Sequence, residues 1–398
     1  MIKTYEGINP SQLYMNALTD LVRSGREVGP RGKGTKELRP VIFGFHDPNS
    51  RVTFLKGRLI NPFFQLAEAL WIIAGRSDVD WLTDYNANMA EFSDDGVYFN
   101  APYGERLRFW GKNDASGYIH NPIDQLRDAF LKLKADPDTR QAYVSIYNPR
   151  FDNVEVQTKD RPCNLGIDFK IRDGKLDGMV FNRSNDLHWG TFGANLCQFS
   201  TILELMASWL GVEVGSYYQN TDSLHIYTDS YGHKITESVL KHYDMEEQFY
   251  PIVSHFQFKD EPRINSSFDG WHYQVSYYFN TLDEAVRGDH QMYELNTVFS
   301  SVLGSIGRKV TDPYLKMTIY SMIAYQSHKR GKNDFTIHAL RHIPDGEWKV
   351  SMLRMLSKKL LHLESEGPNT QFEVRSQFRS LYQHLGDDII DYIERKGE

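Results

Sequence analysis

Residues 164–183 alternate apolar and polar side chains in two runs that are separated by Asp173 and Gly174. A period of two residues is typical of β-strands, and the Asp-Gly dipeptide favours the tight turn of a hairpin. The pattern therefore predicts an antiparallel hairpin, so a chain of this kind must build a sheet around it. The apolar positions that carry the prediction are Ile167, Phe169, Ile171, Met179 and Phe181.

The two outer ends of this hairpin carry chemically useful side chains. Cys163 precedes the first strand, and a polar cluster that begins at Arg183 follows the second. Since the start of one antiparallel strand neighbours the end of the next, the cysteine and the cluster are predicted to lie close together. Cys163 is either a small buried hydrophobe or a nucleophile whose thiolate is stabilised by Arg161 and Arg183. Cys197 lies in an apolar helical stretch and is interpreted as a core residue.

Composition excludes several classes of protein. The chain has 398 residues, is 40% hydrophobic and carries a net charge of −7, so direct nucleic-acid binding is not expected. It contains no run of apolar residues long enough to cross a membrane. Two cysteines form no disulfide framework, which favours a reducing cytoplasm. No metal-binding motif is apparent, and we expect no metal, because the pair His338 and His342 is more typical of a helix surface.

The remaining pattern predicts an α/β chain with a domain boundary near residue 255. Residues 61–78 carry a helical apolar stripe that contains Glu68, and residues 215–230, with His225 and Tyr227, resemble one strand. The glycine-rich stretch 24–40 is interpreted as a loop. We therefore expect a catalytic domain over 1–255 and a mostly helical extension over 256–398.

Six segments, taken in order, resemble the thymidylate synthase family, which also includes phage nucleotide hydroxymethylases. The similarity covers roughly residues 25–230 and depends on a cysteine that precedes an Arg-Ser-x-Asp segment at hairpin spacing. The segments are AEALWIIAGRSDVDWL, NAPYGERLR, DPDTRQAYVSIYNP, RPCNL, FNRSNDLHWG and TDSLHIY.

The resemblance implies a fold and a chemistry. The implied fold is a layered sheet with flanking helices, and the implied assembly is a homodimer. Cys163 resembles the thiolate that adds to C6 of a pyrimidine, Glu68 the acid/base carboxylate, and Tyr103 a tyrosine beside the nucleophile. The co-substrate that the resemblance implies is 5,10-methylenetetrahydrofolate, which would supply a one-carbon unit to C5.

The resemblance also implies a set of substrate-binding residues. Their roles are to hold the phosphate, the base and the ribose of the nucleotide, and Arg140 would serve the site of the partner subunit. The phosphate ligands are Arg31, Arg140, Arg183 and Ser184; Asp186 contacts the base region and folate; Asn195 reads the base; His225 and Tyr227 bind the ribose 3′-hydroxyl.

Departures from the family pattern bear on substrate and product. The GTFGANL segment is one residue longer than the pattern, and its best match, Asn195, favours uracil because an amide both donates and accepts. Asn164 and Gln141 replace a histidine and an arginine. NMAEFSDDG replaces a tryptophan-rich segment that shields the one-carbon intermediate, and the chain ends in IIDYIERKGE, which is not the apolar tail that closes a synthase site.

An open site admits water, so these departures favour a hydroxymethyl product. We expect the enzyme to convert dUMP to 5-hydroxymethyl-dUMP in the host cytoplasm of a phage. The alternatives are a thymidylate synthase that makes dTMP, a hydroxymethylase of dCMP or CMP and, from a different class, a non-catalytic nucleotide-binding relative.

Overall fold

The computed structural model of the protein describes residues 2–112, 121–153, 157–243, 258, 261–287, 301–302, 304, 309–361 and 368–394. The chain divides into two compact units. The first comprises Met1–Ile60 and Phe64–Ile252, and the second comprises Asn61–Phe63 and Val253–Glu398. The predicted domain boundary at residue 255 lies outside the described residues.

A six-stranded mixed sheet forms the centre of the first unit. Its strands are β1 (Lys3–Gly7), β4 (Val41–Phe45), β5 (Tyr143–Ser145), β6 (Asn164–Arg172), β7 (Lys175–Asn182) and β9 (Glu213–Thr221), in the spatial order β1-β4-β9-β7-β6-β5. The pairs β1–β4 and β7–β9 are parallel, whereas β4–β9, β5–β6 and β6–β7 are antiparallel. The predicted α/β class is confirmed.

The predicted hairpin is β6 and β7. Asp173 and Gly174 have φ angles of 50° and 75°, which is the left-handed backbone that a two-residue turn needs and that Gly supplies without strain. At the other end of the hairpin the register shifts between Asn164 and Gly166, which forms a bulge beside Cys163. Bulges of this kind re-aim side chains and occur often next to active sites.

A second sheet of four strands corrects two predictions. Its strands are β2 (Arg26–Val28), β3 (Thr35–Leu38), β8 (Asn185–Asp186) and β10 (Leu224–Tyr227), in the order β2-β3-β10-β8. The stretch 24–40 is therefore a short hairpin and not a loop. Residues 215–230 form parts of two strands in different sheets, because the chain turns at Asp222 and Ser223 between β9 and β10.

Helices cover the inner face of the six-stranded sheet. The chief of these is α7, whose buried face packs on β7 and β9. The predicted helix with Glu68 is α2, and it ends before Gly75, whose φ of 76° is left-handed. The helices of this unit are α1 (Pro10–Ser24), α2 (Pro62–Ile73), α3 (Val79–Thr83), α4 (Tyr103–Arg108), α5 (Gln125–Ala135), α6 (Pro149–Asp152), α7 (Leu196–Leu210) and α8 (Tyr231–Leu240).

The described part of the second unit is helical, as predicted. Its helices are α9 (Phe268–Arg287), α10 (Pro313–Lys329), α11 (Asn333–Arg341), α12 (Glu347–Leu361), α13 (Pro368–Arg379) and α14 (Asp387–Glu394). Within the described ranges, no helix combines the length and the apolar character that a membrane span needs.

Candidate active site

Cys163 and Arg183 meet at the open end of the β6–β7 hairpin, as the sequence predicts. The Arg183 N–H donates to the carbonyl of Cys163 at 3.0 Å, and its Nη2 lies 3.8 Å from the cysteine Sγ. The Nε of Arg183 donates to the carbonyl of Pro162 at 2.9 Å. These contacts fix the guanidinium over the thiol.

Several charges act on this thiol. Burial raises the pKa of Cys163 above its ordinary value, and Asp160 and Asp186 raise it further. The positive charges of Arg183 and Arg31 act in the opposite direction and stabilise the thiolate. Cys163 therefore has positively charged neighbours of the kind that stabilise a nucleophilic thiolate. Cys197 is buried in α7, where burial raises its pKa to about 12, so the interpretation as a core residue fits its surroundings.

Tyr103 forms hydrogen bonds with both Cys163 and the next residue, Asn164. The tyrosine lies at the first position of α4, and its hydroxyl accepts from the Cys163 N–H at 3.3 Å. The same hydroxyl donates to Oδ1 of Asn164 at 3.0 Å. Burial raises the pKa of Tyr103, so the phenol stays protonated at neutral pH. The hydroxyl is thus a neutral group held directly beside the cysteine.

Glu68 projects from α2 and has properties suited to proton transfer. Its side chain accepts a hydrogen bond from Gln198 on α7, while Oε2 is buried and has no partner among the described residues. Burial raises the pKa of Glu68 to about 7. A carboxyl group with this pKa can donate and accept protons near neutral pH, which is what a general acid/base needs.

Asp186 and His225 are adjacent in the second sheet. Strands β8 and β10 pair them directly, and the Asp186 carboxylate accepts from the N–H of Trp189 at the start of the next helical turn. Burial raises the pKa of Asp186, and the nearby His225 opposes that shift. The ring of His225 packs edge-on against Tyr227, with centroids 5.3 Å apart.

A π-helical segment, Leu187–Asn195, follows Asp186 and runs directly into α7. Nδ2 of Asn195 at its end donates to Oδ1 of Asn185 at 3.1 Å, and Asn185 in turn donates to Gln219 on β9 at 2.9 Å. Asn195 is buried. These bonds orient the amide proposed to read the base. The wide turn is invisible to sequence periodicity but is frequent at functional sites.

Arg31 lies at the tip of the β2–β3 hairpin and approaches the same region. Its φ of 54° is left-handed, a strained conformation for a residue with a side chain. A hydrogen bond links Arg31 and Tyr227. The hairpin is held in place because the N–H of Thr228 donates to the carbonyl of Gly34 at 2.9 Å, while the N–H of Gly34 donates to Asp229.

The structure brings most of the predicted residues together but not all of them. Hydrogen bonds, strand pairing or electrostatic interactions connect Cys163, Tyr103, Arg31, Arg183, Asp186, His225 and Tyr227. Ser184 is partly buried next to Arg183 in the chain. Arg140 is exposed just before β5, and no described residue bonds to its guanidinium.

The sequence patterns do not single out two further residues near these groups. Gln198 lies in the same apolar helix as Cys197, yet it bonds to Glu68. Trp189 is 45% exposed and stacks on Phe64, with ring centroids 6.0 Å apart. Phe64 lies on α2, one helical turn before Glu68. The sequence offers one signal, a tryptophan three residues after the polar cluster that ends at Asp186, but its exposure is visible only in the structure.

A cysteine beside arginines, a carboxyl group with a pKa near 7 and a buried amide are suited to nucleophilic chemistry on a small anionic substrate. Residues 12–258 match the family described as thymidylate synthase, so the chain belongs to the thymidylate synthase family. The predicted family membership is confirmed.

Three of the similar proteins come from phages and share one name. The chain is 55% identical over 359 residues to the deoxyuridylate hydroxymethyltransferase of Bacillus phage SP01, covering 89% of this chain and 94% of that one. It is 40% identical over 191 residues to the protein of that name from Pseudomonas phage M6, covering 48% and 51% of the two chains. The protein of that name from Delftia phage PhiW-14 is 31% identical over 207 residues, covering 50% and 54%.

Proposed function

We propose that the protein transfers a one-carbon unit from 5,10-methylenetetrahydrofolate to C5 of dUMP and adds water, which gives 5-hydroxymethyl-dUMP. The observation that carries the proposal is the Cys163 thiol beside Arg183, with Glu68 tuned to a pKa of about 7 in the same unit. The name of the Bacillus phage relative, which is similar along most of the chain, supports the choice of substrate and product.

Cys163 starts the reaction by adding to C6 of the pyrimidine. C5 of uracil is a poor nucleophile until C6 is saturated, and a sulfur adduct makes C5 reactive and later leaves. C5 then bonds to the one-carbon unit, which folate carries at the oxidation level of formaldehyde. C5 loses its proton and tetrahydrofolate leaves unoxidised, so the base carries an exocyclic methylene group. Tyr103 holds its neutral hydroxyl beside the adduct, and Glu68 moves protons near O4 of the base. Addition of water to the one-carbon group and release of the thiolate complete the turnover without any change in oxidation state.

The remaining site residues position the nucleotide. Arg183 and Arg31 provide planar cations for the phosphate, with Ser184 as a further donor. The amide of Asn195, oriented by Asn185, provides the donor and acceptor that uracil needs at O4 and N3. His225 and Tyr227, packed against each other on β10 of the second sheet, are suited to the ribose hydroxyl.

The proposal includes a homodimer. Arg140 is exposed and unbonded within the described chain, beside the edge strand β5, so it is available to a phosphate in a second subunit. The outer face of the central sheet is also only partly buried at Met179, Phe181 and Tyr218. Sheet faces with apolar and aromatic side chains of this kind are suited to a symmetric interface.

Mass spectrometry of the nucleotide product tests the proposal. Purified protein is incubated with dUMP and methylenetetrahydrofolate, with dCMP in a parallel reaction. Hydroxymethyl-dUMP formed without dihydrofolate is the expected result. A product with the mass of dTMP, together with dihydrofolate, would overturn the hydroxymethyl assignment, and product from dCMP alone would overturn the uracil assignment. No product from either would favour a binding protein.

A further inference from the structure

Two buried asparagines face each other across the hairpin that carries the nucleophile. The register of β6 and β7 pairs Asn164 directly with Asn182, so both side chains lie on the same face of the sheet. Their exposed fractions are only 1% and 3%. Nδ2 of Asn164 and Oδ1 of Asn182 have no hydrogen-bond partner among the residues that the structure describes. One unpaired atom is a donor and the other an acceptor.

The other end of each amide is occupied. The Tyr103 hydroxyl has a single proton, and because it accepts from the Cys163 N–H, that proton points to Oδ1 of Asn164. This bond leaves Nδ2 of Asn164 as the free atom. Nδ2 of Asn182 donates to Oγ1 of Thr221 at 3.2 Å, which leaves its Oδ1 free. Both unpaired atoms are therefore held in fixed orientations.

We propose that Asn164 and Asn182 bind a water molecule between them and that this water adds to the one-carbon group on the nucleotide. Buried polar atoms that lack a protein partner are commonly satisfied by ordered water. A water here would accept from Nδ2 of Asn164 and donate to Oδ1 of Asn182, and one proton and one lone pair would stay free. The inference rests on the proposed function.

The position of the pair suits this reaction. Asn164 is the residue after the nucleophile and shares the Tyr103 hydroxyl with it. When Sγ is bonded to C6, the exocyclic carbon on C5 is three bonds from the sulfur. The water oxygen bonds to that carbon, and its proton passes to the Glu68 carboxylate. The electron pair of the double bond between C5 and the exocyclic carbon moves into the ring and re-forms the C5–C6 double bond as the C6–S bond breaks, so the thiolate is released and nothing is oxidised or reduced.

Two variants separate this water step from the steps before it. Asn182→Leu removes the acceptor and leaves the Asn164–Tyr103 bond in place. Asn164→Asp keeps the acceptor for Tyr103 but removes the donor. Release of tritium from [5-³H]dUMP reports every step up to loss of the C5 hydrogen, and hydroxymethyl-dUMP reports the addition of water. Thr53→Val is the matched control, because Thr53 also has a buried hydroxyl without a partner but lies in the loop before α2.

The expected result is uncoupling of the two measurements. Wild type and Thr53→Val should release one tritium for each hydroxymethyl-dUMP formed. With protein in excess over dUMP, so that each site turns over once, the ratio of the rate of tritium release to the rate of hydroxymethyl-dUMP formation should rise about tenfold in each asparagine variant, because two water-binding bonds are reduced to one. A ratio that stays at the wild-type value in both variants would overturn the inference. Absence of tritium release in the wild-type protein would instead overturn the proposed function.

Discussion

Arg183 donates its backbone N–H to the carbonyl of Cys163 and places its guanidinium 3.8 Å from the sulfur of the same residue. A single arginine thus fixes both the backbone and the electrostatic environment of the nucleophile. The arrangement is a direct consequence of antiparallel pairing, which returns the end of β7 to the start of β6.

Removal of this cation should make the thiol less acidic. Arg183 lowers the pKa of Cys163 against the effect of burial, so Arg183→Ala should raise that pKa and reduce the thiolate fraction at a given pH. The pH profile of iodoacetamide alkylation, measured without nucleotide, should move to higher pH. Arg172→Ala, at the far end of the β6 strand that begins next to Cys163, is the control and should leave the profile in place. An unchanged alkylation profile in Arg183→Ala would show that Arg183 does not stabilise the Cys163 thiolate.

Loss of the nucleophile should abolish turnover without unfolding the protein. Cys163→Ala should reduce kcat by at least about a thousandfold, because no other thiol lies beside Arg183. Cys197→Ala is the matched control. It should retain activity and lose about 1 kcal/mol of stability, because it leaves a small cavity in α7. Steady-state kinetics and thermal unfolding measure both effects, and substantial activity in Cys163→Ala would point to another nucleophile.

Glu68 should give activity and stability a pH dependence that Glu68→Gln lacks. Its folded pKa of about 7 exceeds the ordinary value of 4.5, so the folded state retains a proton that the unfolded state loses. The stabilisation is complete below pH 4.5 and disappears as pH rises through about 7. Glu68→Gln should therefore be more stable than wild type at pH 8 and about a hundredfold less active.

Urea denaturation at pH 5 and pH 8 and the pH profile of kcat/KM check this prediction. Glu213→Gln, a change at the exposed start of β9, is the control and should keep the wild-type profile. A profile in Glu68→Gln that still bends near pH 7 would assign the titration to another group.

Trp189 should form part of the folate site. It is exposed, stacks on Phe64 and lies near the helix that carries Glu68, so its ring is available to a flat heterocycle. Trp189→Ala should raise the KM for methylenetetrahydrofolate about tenfold and leave dUMP binding intact, while Trp189→Phe should stay near wild type. Equal KM values for all three proteins would place folate elsewhere.

Mixed dimers should test the role of Arg140. Cys163→Ala and Arg140→Ala should each be inactive alone, but a heterodimer would contain one complete site, with Cys163 from one protomer and Arg140 from its partner. Random mixing should restore about a quarter of wild-type activity. No recovery, with heterodimers demonstrated by differential tagging, would show that Arg140 does not serve the partner.

The parts of the structure that follow from local periodicity could be predicted from the sequence. The β6–β7 hairpin and the approach of Arg183 to Cys163 follow from alternation and one Asp-Gly turn. The division of residues 215–230 between two sheets could not be predicted, because β9 and β10 both show strand periodicity and only tertiary pairing separates them. The raised pKa of Glu68 also depends on burial, which its place on an amphipathic helix does not reveal.

The π-helical segment Leu187–Asn195 has a consequence for how this family can vary in length. One residue added to an α-helix rotates everything after it by about 100°, which would turn the packing face of α7 away from the sheet. A wide turn confines the extra residue to a local bulge. The chain between Asp186 and Asn195 can therefore gain a residue while both ends keep their places. Deletion of that residue would return the turn to ordinary α-helix, so a shorter loop and a longer one are two solutions to the same spatial constraint.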